Sequence, residues 1–259
     1  MRDPGSQGAV VTSQPSSVQS VARALGLLDA VEAAGGSLTI SGMARQSSLS
    51  VATVHRLVQT LVASGYLRQL PDRRYCLGSR LASLGSSANK LISVHARPVL
   101  AALADQFGET ANLAVLSAGT AEYVAQASGR HSMRTFTEVG HRVPLHCTGV
   151  GKAMLSLLSD EQVRRILEPA GMPAVTDTTI TCIPAMLGEL QTVRANGYAM
   201  DEGEMEVGVR CAAVPIAGTS IMAVSISGPA VRVTDDLTRA AVPALIRAGS
   251  RLSELLAGA

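Results

Sequence analysis

The sequence predicts an α+β chain of two parts, a winged helix-turn-helix domain followed by a larger domain on a mostly antiparallel sheet. Three observations carry this. Helix-period runs before residue 64 are followed by a short hairpin pattern; strand and helix patterns alternate after Gly108; and charge divides between the parts. Residues 1–94 hold nine Arg/Lys against four Asp/Glu, a balance of +5, and the remaining residues hold 13 against 16, or −3. A basic head on a mildly acidic body fits a module for a polyanion joined to something with another task. The 259 residues suit two domains.

Residues 1–16 are rich in Ser, Gln, Gly and Pro and are expected to be a disordered arm. They lack the continuous apolar stretch of a signal peptide. No apolar run reaches the roughly 18 residues of a membrane span, so the expected location is cytoplasmic, with no membrane partner. Residues 17–78 are assigned to the DNA-binding head. In its first helix, Val18, Val21, Leu25, Leu28 and Val31 recur at helical spacing until Gly35-Gly36. Thr39 is placed to cap a short second helix, ISGMARQSS, and Ser50 a third.

In the third helix Val51, Val54, Leu57, Val58, Leu61 and Val62 share a stripe, which leaves Thr53, His55, Arg56, Gln59 and Thr60 off it. Gly65 ends this helix, and YLRQL, PDRR and RYCLG read as strand, turn and strand. This is the order of a winged helix-turn-helix, whose third helix enters a DNA major groove. Ser50, Thr53 and Arg56 are the expected contacts there. Arg23 on the first helix and Arg73 with Arg74 on the wing are placed for phosphate or minor-groove contact. Arg56 can read a guanine edge, worth about 1–3 kcal/mol of discrimination; a phosphate contact or a salt bridge is its plainer use. With aromatics at 2% and no Trp, stacking on single-stranded bases is disfavoured.

Residues 79–94 are expected to be a linker helix, with Gly85 and Pro98 dividing the segment to Phe107 into two helices. Its small residues (Ala82, Ser83, Ser86, Ser87, Ala88) suit close packing against a second copy. Residues 95–259 form the body. TANLAVLS, AEYVAQAS and MRTFTEVG read as strands, and GVGKAMLSLLS, DEQVRRILE and PAMLGELQTVRANG as helices. GVRCAAVPIAG and TSIMAVSISGP form a hairpin, and a long helix closes the chain.

The ordered set VQSVARALGLLDAV, TVHRLVQTLVASGYL, RRYCLG, VPLHCTGVGKAML, GYAMDEGEMEVGVRCAAVPI and AVSISGPAVRVT resembles the IclR family of bacterial transcriptional regulators, from about residue 17 to 257. The resemblance implies a GAF-like effector-binding body and assembly as a homodimer or dimer of dimers. It also implies operator DNA as partner and a small metabolite, often a carboxylate, as the controlling ligand. Both repressors and activators occur among such proteins; a repressor of a catabolic operon is expected here.

The loop Cys147–Met154 invites a P-loop reading, but a phosphate loop needs Gly where His146 stands and Ser or Thr where Ala153 stands. The loop does open a helix, whose amides favour a small anion; a tight turn is the plainer use of its glycines. Ser225 and Ser227 lie two apart on an apolar strand and so face one side. Buried there they need partners, which a carboxylate, ordered water or backbone could supply. By resemblance, Gly149, Val150, Asp201, Cys211, Ser225 and Ser227 line the effector site. The serines and loop amides would hold the carboxylate, and Asp201 and Cys211 would meet the more polar end.

That set favours a small polar acid, such as glyoxylate or a related keto acid or ureide; an aromatic acid would need a larger apolar pocket. The four cysteines contain no C-x-x-C pair, and His141, His146 and Cys147 are irregularly spaced. No metal, cofactor or catalytic residue is therefore expected. The rival reading is a small-molecule-binding protein or enzyme whose N-terminal domain only mediates assembly.

Overall fold

The computed structural model describes residues 18–131, 138–218 and 220–257. The chain divides into two compact units, Met1–Gly85 and Ser86–Ala259. The expected arm, residues 1–16, lies outside the described residues, as does most of the expected strand MRTFTEVG.

The first unit holds α1 (Gln19–Ala33), β1 (Ser37–Leu38), α2 (Ile40–Ser47), α3 (Val51–Ala63), β2 (Leu67–Gln69) and β3 (Tyr75–Leu77). Both expected caps form. Thr39 Oγ1 accepts from the Gly42 amide at 3.1 Å, and Ser50 Oγ from the Thr53 amide at 3.2 Å, each supplying an acceptor for an otherwise orphaned helix-start N–H. The core joins Leu27 and Val31 of α1, Met43 of α2, Val54, Val58 and Leu61 of α3, Leu67 and Tyr75.

Two expectations change here. The wing is not a lone hairpin: β1 pairs with β3 antiparallel, giving a three-stranded sheet in the order β1-β3-β2. In α1 the face that turns inward is Ala24-Leu27-Leu28-Val31, whereas Val18, Val21 and Leu25 are exposed. Both sets satisfy a helical period, so periodicity alone does not choose between them.

Residues Ser79–Phe107 form one helix, α4, not two; the division between the units falls within it. Pro98 leaves one backbone carbonyl unpaired, normally a substantial cost in a helix interior. Here Pro98 and Val94, the residue whose carbonyl it frees, are both exposed, so water can serve that group.

In the second unit, β4 (Thr110–Ser117), β5 (Thr120–Ala127), β6 (Arg142–Val143), β7 (Ala199–Glu202), β8 (Val209–Ile216) and β9 (Met222–Pro229) make an antiparallel sheet in the order β6-β5-β4-β9-β8-β7. The helices are α5 (Gly149–Ser156), α6 (Asp160–Ala170), α7 (Ile183–Asn196) and α8 (Asp235–Ala257). Side-chain alternation gives the sheet two buried faces. Leu113, Val214, Val224 and Ile226 pack with Leu100 and Leu103 of α4 and Leu245 and Leu252 of α8. Ala114, Ala199, Cys211, Ala213 and Ala223 face Val150 and Met154 of α5, Leu167 of α6 and Leu190 of α7. Burying each such Leu or Val contributes about 1.5–3 kcal/mol. The small residues on the second face let α5 approach the sheet closely.

Candidate functional site

Strand register brings the expected body residues together. Asp201 stands opposite Cys211, Cys211 opposite Ser227, and Ser227 opposite Thr110, so Asp201–Cys211–Ser227–Thr110 is one row across β7, β8, β9 and β4. The adjacent row runs Ala199–Ala213–Ser225–Asn112–Gln126, reaching β5. Directly opposed residues share a face, and both rows lie on the face that packs α5. Ser225 is 0% exposed, and its hydroxyl has no hydrogen-bond partner among the described residues. It could serve a Cys211 thiolate, but burial pushes the Cys211 thiol up to about 12 and keeps it protonated.

Glycine sets the approach of α5. A side chain at Gly149 would bring its first carbon to 3.0 Å from Cys211 Sγ, and one at Gly151 would run into the Leu145 backbone. Thr148 caps the helix: its Oγ1 accepts from the Gly151 amide at 3.2 Å and donates to the Pro144 carbonyl at 2.7 Å. The Lys152 amide bonds the Thr148 carbonyl. That is the first backbone bond of the helix, and the helix start lies close over Cys211 and Ala213 of β8 at Gly149.

A buried ionic group flanks the rows, and sequence reasoning missed it. Lys152, 2% exposed, holds Glu204 Oε1 at 2.5 Å and Glu189 Oε1 at 2.9 Å. Burial works against the Lys152 ammonium, but the two glutamates outweigh it and hold its pKa above the ordinary value. Burial also raises Glu204, against the pull of Lys152, and Glu204 Oε2 is buried without a partner among the described residues. Asp201 Oδ1 accepts from the Glu204 amide at 2.7 Å, yet burial, helped by the Glu204 charge, pushes Asp201 up to about 6.

The turn after β7 is pinned from other sides too. Thr176 and Thr179 hydroxyls donate to the Gly203 and Glu204 carbonyls at 2.7 Å each, and Met205 Sδ lies 3.6 Å from Cys147 Sγ. Cys147 is pushed up to about 12, chiefly by burial. His146 is tied to the Pro173 carbonyl at 3.0 Å. Two protonated thiols and a structurally bonded histidine do not make a nucleophile and base. The signal for Lys152 and Glu204 was in plain view, a lysine in an otherwise apolar helix; its partners are far away in sequence.

In the first unit, Arg23 of α1 joins Thr53, His55, Arg56 and Gln59 of α3 around one concavity, which Ser20 also lines. Ser50 sits at the start of α3 with its hydroxyl engaged as the cap and 2.9 Å from Thr53 Oγ1. Arg73 and Arg74 stand at the tip of the β2–β3 hairpin. Arg73 has a left-handed backbone (φ 64°), and Arg74 Nε is paired with Asp72 at 2.6 Å.

Comparison with known proteins agrees with both units. Residues 20–71 match the IclR helix-turn-helix domain, and residues 87–254 match the bacterial transcriptional regulator IclR C-terminal domain. The chain is 36% identical to the transcriptional repressor IclR of Escherichia coli (strain K12) over 245 residues, spanning 91% of this chain and 88% of that repressor. It is 37% identical to the acetate operon repressor of Salmonella typhimurium, with the same coverage. The crystal structure of Thermotoga maritima IclR superposes with a TM-score of 0.62 at 26% identity, covering 93% of this chain and 99% of that one.

A helix-turn-helix head joined to an α+β body with a GAF-like sheet defines a DNA-binding transcriptional regulator, not an enzyme. The chain belongs to the IclR family. Its relatives include repressors, and DNA is the partner that the head implies. Among the described residues no helix is long and apolar enough to cross a membrane.

Proposed function

We propose that this regulator represses a catabolic operon and that a small carboxylate controls its grip on DNA. The acid would lie between the Gly149 and Val150 amides and the serines of β9, with its other polar end toward Cys211 and Asp201. Ser225 carries this reading. A fully buried hydroxyl without a partner among the described residues costs about 1–3 kcal/mol, and the strand neighbour of Ser225, Ala213, lies against the start of α5, a helix end whose dipole favours an anion. Arg23, Thr53 and Arg56, with Arg73 and Arg74 on the wing, would grip the operator, and Ser50 would serve chiefly as the α3 cap.

Control works by population shift. The acid favours one arrangement of the bodies over another, and α4 passes the change to the heads; the shift is limited by the difference in affinity for the two states. Homodimerisation, or a dimer of dimers, is supported by the exposed Leu84 and Leu91 (47% and 63%), seven residues apart on α4. A second copy would cover them.

The test is a double substitution, Arg56→Ala with Arg73→Ala, assayed for operator binding and for acid binding. Loss of operator affinity with acid binding retained is expected. Unchanged operator affinity would put the reading head elsewhere.

A further inference from the structure

The two rows contain a square of polar side chains on β4 and β9. Thr110 stands opposite Ser227 and Asn112 opposite Ser225, and all four are 6% exposed or less. One diagonal is closed: Asn112 Nδ2 donates to Ser227 Oγ at 3.2 Å, while Gln126 Nε2 donates to Asn112 Oδ1 at 3.3 Å. The other diagonal is two hydroxyls, Thr110 Oγ1 and Ser225 Oγ, both buried and without hydrogen-bond partners among the described residues. Folded proteins leave few such groups, and each calls for a cause. Two on one diagonal of one square point to a shared cause.

We infer that Thr110 is a further ligand-contacting residue and Asn112 a positioning residue, so that the acid group sits over β4 and β9. This rests on the acid reading above. Diagonal neighbours on an antiparallel pair lie about 7–8 Å apart. A carboxylate accepting a bond of about 2.7 Å at each oxygen fills that gap, one oxygen to each orphan hydroxyl. Two orphan hydroxyls can each donate a hydrogen to an anion. The rest of the ligand runs along the first row toward Cys211 and Asp201. The chemical class is therefore a monocarboxylic acid carrying a second oxygen or nitrogen function, such as a keto or ureido group.

Substitutions at Thr110 and Ser225 separate this inference from the reading it rests on. Binding of glyoxylate, pyruvate and allantoate is measured by calorimetry for the wild type, Ser225→Ala, Thr110→Val and Thr110→Ser. The expected result is that S225A and T110V each weaken the best-bound acid about tenfold or more, or about 1.4 kcal/mol, while T110S stays within about threefold.

T110V replaces an unpartnered hydroxyl with a methyl, so its ligand-free melting temperature should not fall below the wild type's; a merely structural Thr110 would lose stability. Thr110→Ala, which adds no bulk, carries the same binding expectation should T110V not fold. Weakened binding in S225A with wild-type binding in the Thr110 variants overturns the inference and leaves the acid reading standing. If the wild type binds none of the three acids, or S225A and T110V both bind like the wild type, the acid reading falls and the inference with it.

Discussion

Asp201 shows how a single residue couples this site to pH. Its carboxyl titrates near 6 in the folded chain, against about 3.9 when unfolded. The folded state therefore holds an extra proton between these values. The resulting stability is complete below about pH 4 and is lost as the pH rises through 6, on the order of 2–3 kcal/mol. Asp201→Asn keeps an oxygen for the Glu204 amide but does not titrate. Denaturant melts from pH 4 to 7 should show the wild type losing stability relative to that variant, and parallel curves would contradict the assignment. An anion bound beside Asp201 should also bind more tightly as the pH falls through 6. At Lys152, substitution by Met strands Glu204 in the interior, and breaking a buried pair from one side costs about 3–5 kcal/mol. The urea midpoint reports it. On the wing, Asp72 neutralises Arg74, so Asp72→Asn should tighten DNA binding severalfold at low salt, an effect that fades as salt screens it.

At the level of elements, most of the fold was legible because hydrophobic period and cap chemistry agreed. Ser50 and Thr39 announced their helices, and β4, β8 and β9 stood out as short, mostly apolar runs, buried along most of their length. Ser50→Ala should cost about 1 kcal/mol of stability through the lost cap; a thermal melt without DNA isolates that from any loss of operator affinity. What was hidden has physical reasons. The β7 strand is four residues long and half of it is acidic, Asp201 and Glu202, so only its pairing with β8 reveals it. The exposed flank of α1 and its buried flank have the same period. The site was half legible. Ser225 and Ser227 stood out as hydroxyls on an apolar strand, but Thr110 and Asn112 join them only through the register of β4 with β9, which no local pattern encodes.

Across the whole molecule, the charge division read from the sequence coincides with a division of labour. The +5 of residues 1–94 includes the arginines of α1, α3 and the wing. Two heads gripping with Arg23, Arg56 and Arg73 would neutralise about six phosphates, and six to ten such contacts weaken binding about 10³-fold or more between 50 and 200 mM salt. The most direct test of the central claim is fluorescence anisotropy on DNA from upstream of the chain's own gene, run across that salt range with and without glyoxylate, pyruvate and allantoate. The account predicts tight, salt-sensitive, sequence-selective binding whose affinity one of these acids changes at least fivefold. Binding that is indifferent to sequence and to every acid would contradict it.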